Sequence, residues 1–366
     1  MRNCSDQKPR LERPSDLRPP ARECTSRLAG GIALPLAPHH SPFYVAPPLA
    51  LTRGCNGSHP TVSDHWSACE ARHSANQRPA NRLIIGLWRV AFGVATERQV
   101  GDIEHFGLWE SPCGLAFFEP MLAGDEEFYL DLYRGGDFHR RLSAPGLCRA
   151  EFSRVAELVR PGEKVLDVGC GEGGLARYLP HATYVGLDLH FPPVTDGPDV
   201  RNETVPEHAA SHAEQYDAVC AFHVIEHVAD PLGFGRDLMQ CTRRGGRLYI
   251  AVPAWGSAMT DLPNFVLNAP PHHLSWWNER ALRALTDQLG LVVEEIEPTP
   301  FSSHDSIIYW MGHCAPKLTG DRHFRAHWVW YGALAWSWLV GRACNAMFRV
   351  PVSAGPSGLL LIAGKR

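Results

Sequence analysis

The chain has 366 residues and 11 cysteines, yet no two of them form a C-x-x-C pair. They are scattered at 4, 24, 55, 69, 113, 148, 170, 220, 241, 314 and 344, which argues against a zinc ribbon or a disulfide framework. Cys170 and Cys220 fall in expected core strands or their turns, as reduced thiols of a cytoplasmic protein do. Strong charge is also lacking. A net charge of −4 leaves no basic footprint for nucleic acid. The first 30 residues are basic but show no apolar core followed by a small-residue cleavage site, so no secretory signal is read. The stretch 326–341 runs 16 residues without a full charge, short of the about 20 needed to cross a bilayer. What is present suffices for a core: 45% hydrophobic and 10% aromatic residues, in a length that suits one large or two modest domains.

The chain is organised around 164–174. Residues 165–168 are a short apolar run that reads as a buried parallel strand. It breaks into Gly169-Cys170-Gly171-Glu172-Gly173-Gly174, and 175–179 reads as the helix that follows. The N-terminus of such a helix offers free N–H groups and a positive dipole end. Gly169, Gly171 and Gly174 fit the dinucleotide fingerprint G-x-G-x-x-G. Gly169, Gly171 and Gly173 fit the tighter G-x-G-x-G, with Asp167 two residues before it. A second apolar run, 183–188, ends in Asp188, 19 positions after Gly169 (188 − 169). A carboxylate at the tip of a second strand accepts both hydroxyls of a ribose in either nucleotide class. The plain alternatives are a tight turn without a ligand and a solvated loop carboxylate.

Residues 217–222 form a further core strand, followed by Val224-Ile225-Glu226-His227-Val228 and Asp230-Pro231. The tight glycine motif with Asp167 resembles motif I of class I S-adenosylmethionine (SAM) dependent methyltransferases. The Glu226-His227 segment resembles the post-strand motif of the ubiquinone-biosynthesis-like group of that family. The resemblance covers about residues 108–300 and the last strand. It implies an α/β fold: a Rossmann-like three-layer sandwich with a seven-stranded, mostly parallel sheet whose last strand is antiparallel. It implies SAM as cofactor. Asp167 would place the amino-acid moiety, with Gly169, Cys170, Gly171 and Gly173 around the cofactor. Asp188 and Leu189 would meet the ribose side, and Phe222 and His223 would line the cofactor. The segment near Glu203, Thr204 and Val205 would hold the adenine, though its pattern departs from the usual acid–small pair. Some members bind a divalent metal through an acid three residues before the Glu-His pair and the pair itself. Here the first position is His223, and no metal is assigned. The plain reading has Glu226 capping the next helix and His227 packing beneath the cofactor.

The remaining text sets the boundaries. Residues 1–80 hold 11 of the 30 prolines and ten basic residues of which only Lys8 is lysine. They read as disordered, or as sequence upstream of the natural start. Residues 81–155 read as an N-terminal leader, whose helices the resemblance implies fold over the cofactor as a lid. In it, 83–90 and 106–109 look strand-like, Phe128, Tyr129, Leu132 and Tyr133 make one helical face, and further helices are expected at 138–142 and 148–160. The text 110–120 resembles the C-x-x-C-G leader of the same group, with Glu110 in place of the first cysteine. Residues 156–300 are the SAM-binding core, with a third strand at 200–205 and a helical turn at 206–212. Residues 301–366 hold a helical insertion and the terminal strand 358–363. A long loop, 254–277, carries Pro270-Pro271-His272-His273-Leu274-Ser275-Trp276-Trp277 after a strand that ends at the site. Loops of that length inside a domain are usually functional.

The expected protein is thus a cytoplasmic methyltransferase that moves a methyl group to a small-molecule, lipid or glycan acceptor, at oxygen rather than nitrogen or carbon, by in-line displacement. His227, His272 and His273 are the candidate bases for an acceptor that must lose a proton. The stretch 326–341 offers a peripheral membrane contact or plain packing. A nicotinamide enzyme is disfavoured by Asp167 and the Glu226-His227 segment. The second reading is a catalytically silent methyltransferase-like binding module in a glycan or lipid pathway.

Overall fold

The computed structural model describes residues 72–73, 79–101, 103–134, 149–191, 197–314, 323–327 and 329–366. The expected disorder of 1–80 and the expected helix at 138–142 therefore lie outside the described residues, apart from 72–73 and 79–80.

Strand β1 (Arg72–His73) is followed by helix α1 (Asn81–Phe92). This helix replaces the strand expected at 83–90. Ile84, Leu87 and Trp88 recur three to four residues apart and are all buried, so a helical period runs through what looks like a continuous apolar run. Gly93, in the left-handed conformation, ends the helix. Strands β2 (Gly107–Glu110) and β3 (Ala116–Glu119) form an antiparallel hairpin, with Cys113 in its turn region. Helix α2 (Glu126–Arg134) buries Phe128, Tyr129 and Leu132, as expected. Helix α3 (Ala150–Leu158) then leads into β4 (Lys164–Val168).

The glycine loop opens onto a five-residue 3-10 helix, Gly174–Tyr178, rather than a full helix. Strand β5 (Thr183–Leu187) follows. The expected third strand is only β6 (Val200–Arg201), because helix α4 (Val205–His212) starts early. Thr204 and Glu207 form a capping box there: the Glu207 N–H donates to Thr204 Oγ1 at 3.3 Å, and the Thr204 N–H to Glu207 Oε2 at 2.9 Å. Thr204 is thereby engaged in the helix start, in the segment expected at the adenine. Strand β7 (Tyr216–Phe222), helix α5 (Pro231–Cys241) and strand β8 (Thr242–Pro253) come next. Asp230, not Glu226, caps α5, its Oδ1 accepting the Gly233 N–H at 2.9 Å. Strand β9 (Ser275–Trp276), helix α6 (Glu279–Leu289) and strand β10 (Val292–Thr299) precede α7 (Ser303–Cys314), α8 (Val329–Met347) and the last strand β11 (Gly358–Gly364).

The main sheet has seven strands in the order β10-β11-β8-β7-β4-β5-β6. From β6 to β8 neighbours are parallel, while β11 lies antiparallel between β8 and β10. Residues alternate between its two faces. Leu166, Val168, Val219, Ala221 and Ile250 pack with α4, α5 and α6; Val165, Ala218, Cys220 and Tyr249 pack with α3 and the 3-10 helix. This is the three-layer sandwich the resemblance implies, with helices covering both faces of buried parallel strands. Each fully buried aliphatic side chain contributes about 1.5–3 kcal/mol. A smaller four-stranded sheet, β1-β2-β3-β9, joins the leader to the loop after β8.

Helices α7 and α8 pack closely at Gly341, where a Cβ would lie 2.8 Å from Met311 Cγ. The other side of α8 leaves Trp336 61% and Leu339 58% exposed. Among the described residues, no helix is long and apolar enough to cross a membrane.

Candidate active site

The C-terminal ends of the parallel strands converge on the glycine loop, the crevice where open α/β sheets take their ligands. The Gly169 and Cys170 N–H groups both donate to Leu187 O, at 2.8 and 3.2 Å, so the loop folds back onto the tip of β5. Gly169, Gly171 and Gly173 all have positive φ, a conformation glycine reaches without a steric penalty. Their surroundings differ. A Cβ on Gly169 would lie 2.4 Å from Val224 Cγ2, and one on Gly173 2.5 Å from Pro198 Cγ. A Cβ on Gly171 would meet nothing nearer than Phe191 at 3.9 Å. Gly169 and Gly173 are thus glycines for packing, whereas Gly171 exposes its backbone to open space where a ligand can approach.

Asp188 ties this loop together. Its Oδ2 accepts the Gly171 N–H at 2.8 Å, and its Oδ1 the N–H groups of His190 and Phe191 at 2.8 and 3.2 Å. Asn202 donates to the carbonyls of Asp188 and Leu189, at 3.2 and 2.8 Å, fixing the stretch that leaves β5. Asp167 is 2% exposed. Burial pushes its carboxyl up to about 7, even though the Tyr184 hydroxyl donates to its Oδ2 at 2.9 Å and Arg149 opposes the shift. A carboxylate destabilised in this way fits an ammonium ligand, which would restore its charge. Open backbone at Gly171 and a buried acid behind it suit the amino-acid end of SAM. Cys170 fills the gap against Gly186, whose added Cβ would lie 2.5 Å from its Sγ; burial pushes its thiol up.

Phe222 ends β7 inside the core, its ring 5.3 Å from that of Phe152 on α3. His223 follows at φ 57°, its N–H bonded to Ala251 O at 2.9 Å. Its Nε2 lies 3.5 Å from Glu151 Oε1 and its Nδ1 3.5 Å from Glu226 Oε1. Burial works against a charged ring, but the two carboxylates outweigh it and raise His223 to about 9. Burial alone would raise Glu226, yet His223 and His227 hold it down at about 2. An imidazolium between two carboxylates does not fit the divalent-metal set of His223, Glu226 and His227. A ligating imidazole must be neutral, and both ring nitrogens of His223 face acids.

The three candidate bases come together. The loop 254–277 carries His272 and His273 back over the end of β7, where His227 sits in a 3-10 turn, Ile225–His227. Ring centroids are 4.3 Å apart for His227–His272, 4.9 Å for His227–His273 and 4.8 Å for His272–His273. The loop is anchored on several sides. The Trp88 indole donates to Pro270 O at 2.9 Å, the Gly124 N–H to Pro271 O at 2.8 Å, and the Leu274 N–H to Glu226 O at 2.7 Å. Burial holds all three rings below the ordinary histidine range, His273 at about 3.

Sequence reading missed several members of this site. Tyr129 of α2, expected only as part of a lid helix and not named at the site, has its ring 4.9 Å from His190 beside Asp188 and within 6.4 Å of His227 and His272. Glu151 pairs with His223 from 72 positions upstream (223 − 151). Trp88 presents its ring edge-on to His272 at 6.0 Å. No local signal marks these, although the acid in the first turn of α3 and the aromatic pair Phe128-Tyr129 were visible as text.

A family model described as a methyltransferase domain matches residues 139–296, the stretch that holds the parallel strands, the G-x-G-x-G loop after β4 and the acid after β5. Among known proteins, the chain is 41% identical over 102 residues to the ubiquinone biosynthesis O-methyltransferase of Citrobacter koseri, a match covering 25% of this chain and 42% of that protein. It is 34% identical over 153 residues to the protein of the same name from Salmonella newport, covering 33% and 62%. The chain therefore spans less than two thirds of either relative. Among solved structures, it is similar to a SAM-dependent methyltransferase from Archaeoglobus fulgidus, with 18% identity, a TM-score of 0.39, and 65% and 98% of the two chains covered.

Proposed function

We propose that this domain transfers the methyl group of SAM to an oxygen of a small-molecule acceptor. The observation that carries the proposal is the buried cluster of His227, His272 and His273 near the glycine loop, with the Tyr129 ring between it and His190 beside Asp188. The relatives' shared name, an O-methyltransferase of ubiquinone biosynthesis, supports oxygen as the accepting atom.

When bound, SAM supplies an electrophilic methyl on a sulfonium that needs no acid to leave. The chain's own groups position and desolvate. Asp167 faces the ammonium end, while Gly169, Cys170, Gly171 and Gly173 shape the loop. Asp188 and Leu189 meet the ribose, and Phe222 and His223 form the floor at the end of β7. The His227 Nδ1–H donates to His272 O at 2.8 Å, because a carbonyl only accepts. Its Nε2 is left with a lone pair for the acceptor's hydroxyl. His272 and His273 are buried, and an acceptor held there in line with the methyl would react as in an intramolecular displacement. Helix α8, with Trp336 exposed beside other apolar side chains, supports an apolar or lipid-borne acceptor delivered at a membrane surface.

Isothermal titration of the full chain with S-adenosylhomocysteine, and separately with NADH, tests the reading. Micromolar binding of the first ligand alone is expected. Asp188→Ala should weaken it at least about tenfold, since one charge-assisted hydrogen bond contributes about 1.5–3 kcal/mol. Folded protein that binds no S-adenosylhomocysteine would refute the proposal. Binding without turnover on any quinol or phenol acceptor would favour a silent binding module.

A further inference from the structure

We infer that His227, His272 and His273 hold a divalent transition-metal ion of zinc-like preference. The site is the same cluster that carries the methyl-transfer reading; with an ion bound, His227 Nε2 is a ligand rather than the base, and the ion's role in that reaction rests on that reading.

One donor nitrogen from each of the three side chains lies within 4.8 Å of the others. A tetrahedral ion with bonds of about 2.0–2.1 Å sets its nitrogens about 3.4 Å apart, so modest ring rotations close the set. His272 and His273 are only 8% and 6% exposed, and the Nδ1 of each is buried without a hydrogen-bond partner. A buried polar atom left unpaired costs about 1–3 kcal/mol, a penalty that metal coordination removes. His227 is already arranged as a ligand: its Nδ1–H donates to the His272 carbonyl and leaves Nε2 as the free donor. Ligating histidines commonly hand their second nitrogen to a carbonyl in this way. Glu226 Oε1 is ion-paired with His223 Nδ1 at 3.5 Å and lies 4.0 Å from His227 Nε2.

Imidazole donors select zinc and its transition-metal neighbours over magnesium and calcium, which prefer oxygen. Two of the three donors come from the loop after β8, so this set differs from the acid plus Glu-His pair of the resembling group. Three protein ligands leave a fourth position open. An acceptor hydroxyl bound there loses its proton more readily, which gives the recess a way to produce the attacking oxygen at neutral pH.

Cobalt(II) is the probe. The full chain, stripped with a chelator, should take up one equivalent and show the visible d–d bands of a low-coordinate ion, without thiolate charge-transfer absorption. His272→Asn and His273→Asn should each weaken uptake at least tenfold, while His105→Asn, at an exposed position, should not. Should these variants fail to fold, the wild-type cobalt form still decides, because histidine ligands give exchangeable, hyperfine-shifted imidazole N–H resonances. Folded wild type that takes up no cobalt, thiolate charge transfer, or uptake unchanged in both variants would each overturn the site. Titrating the same preparation with S-adenosylhomocysteine separates the two readings. Binding of that ligand without cobalt removes only the metal site, and cobalt without that ligand removes only the methyltransferase reading.

Discussion

Replacing Asp167 with asparagine should make the ligand-free protein more stable, and the gain should grow with pH. Burial moves the Asp167 carboxyl from its ordinary 3.8 up to about 7. The unfolded chain gives up this proton near pH 4, while the folded chain keeps it until near pH 7. Stability is therefore highest below pH 4 and falls as pH rises through 7. At about 1.4 kcal/mol per pH unit, the gap between 3.8 and about 7 amounts to on the order of 4 kcal/mol, fully expressed by pH 8. The substituted amide is neutral in both states, and its carbonyl oxygen can still accept the Tyr184 hydroxyl. Urea unfolding followed by tryptophan fluorescence should place Asp167→Asn on the order of 4 kcal/mol above wild type at pH 8, and by less than half of that at pH 5. Equal differences at the two pH values would show that the carboxyl is not held protonated by burial. The same variant should bind S-adenosylhomocysteine more weakly despite its stability, because the ammonium loses its carboxylate.

The glycines of the loop should separate by role. Gly169→Ala, driven into Val224 at positive φ, should cost about 2–3 kcal/mol in thermal unfolding. Gly171→Ala has room and should cost about 1–2 kcal/mol, losing proportionately more cofactor affinity in titration. Asp230→Ala removes the cap of α5 and should cost about 0.5–2 kcal/mol, with cofactor binding unchanged. Trp277→Ala, a fully buried side chain in the main core, should cost about 3–5 kcal/mol by urea unfolding. His227→Asn should lower kcat about 10²–10⁴-fold while the affinity for S-adenosylhomocysteine stays within a factor of two or so of wild type; parallel loss of both would place His227 in the cofactor pocket instead.

The sequence by itself determined the cofactor half of this protein. The strand, the glycine loop and the acids at 167 and 188 are local text, since a tight turn needs glycine at set positions and a parallel strand needs a short apolar run. The seven-stranded sheet with its antiparallel last strand was implied by the family resemblance, and its strand order is visible only in the structure. Where local signals compete, the reading failed. The run 83–90 is apolar enough for a strand, and only the packing of Ile84, Leu87 and Trp88 against the leader decides for a helix. The third strand shrank to two residues because the capping box of Thr204 and Glu207 starts α4 early. Glu226 was legible as a residue but not as a buried partner of His223, because its neighbours arrive from other elements. The histidine recess belongs wholly to the tertiary structure. His227 and His272 are 45 residues apart, and their meeting depends on a loop held by Trp88, Gly124 and Glu226, contacts between distant segments that no local periodicity encodes.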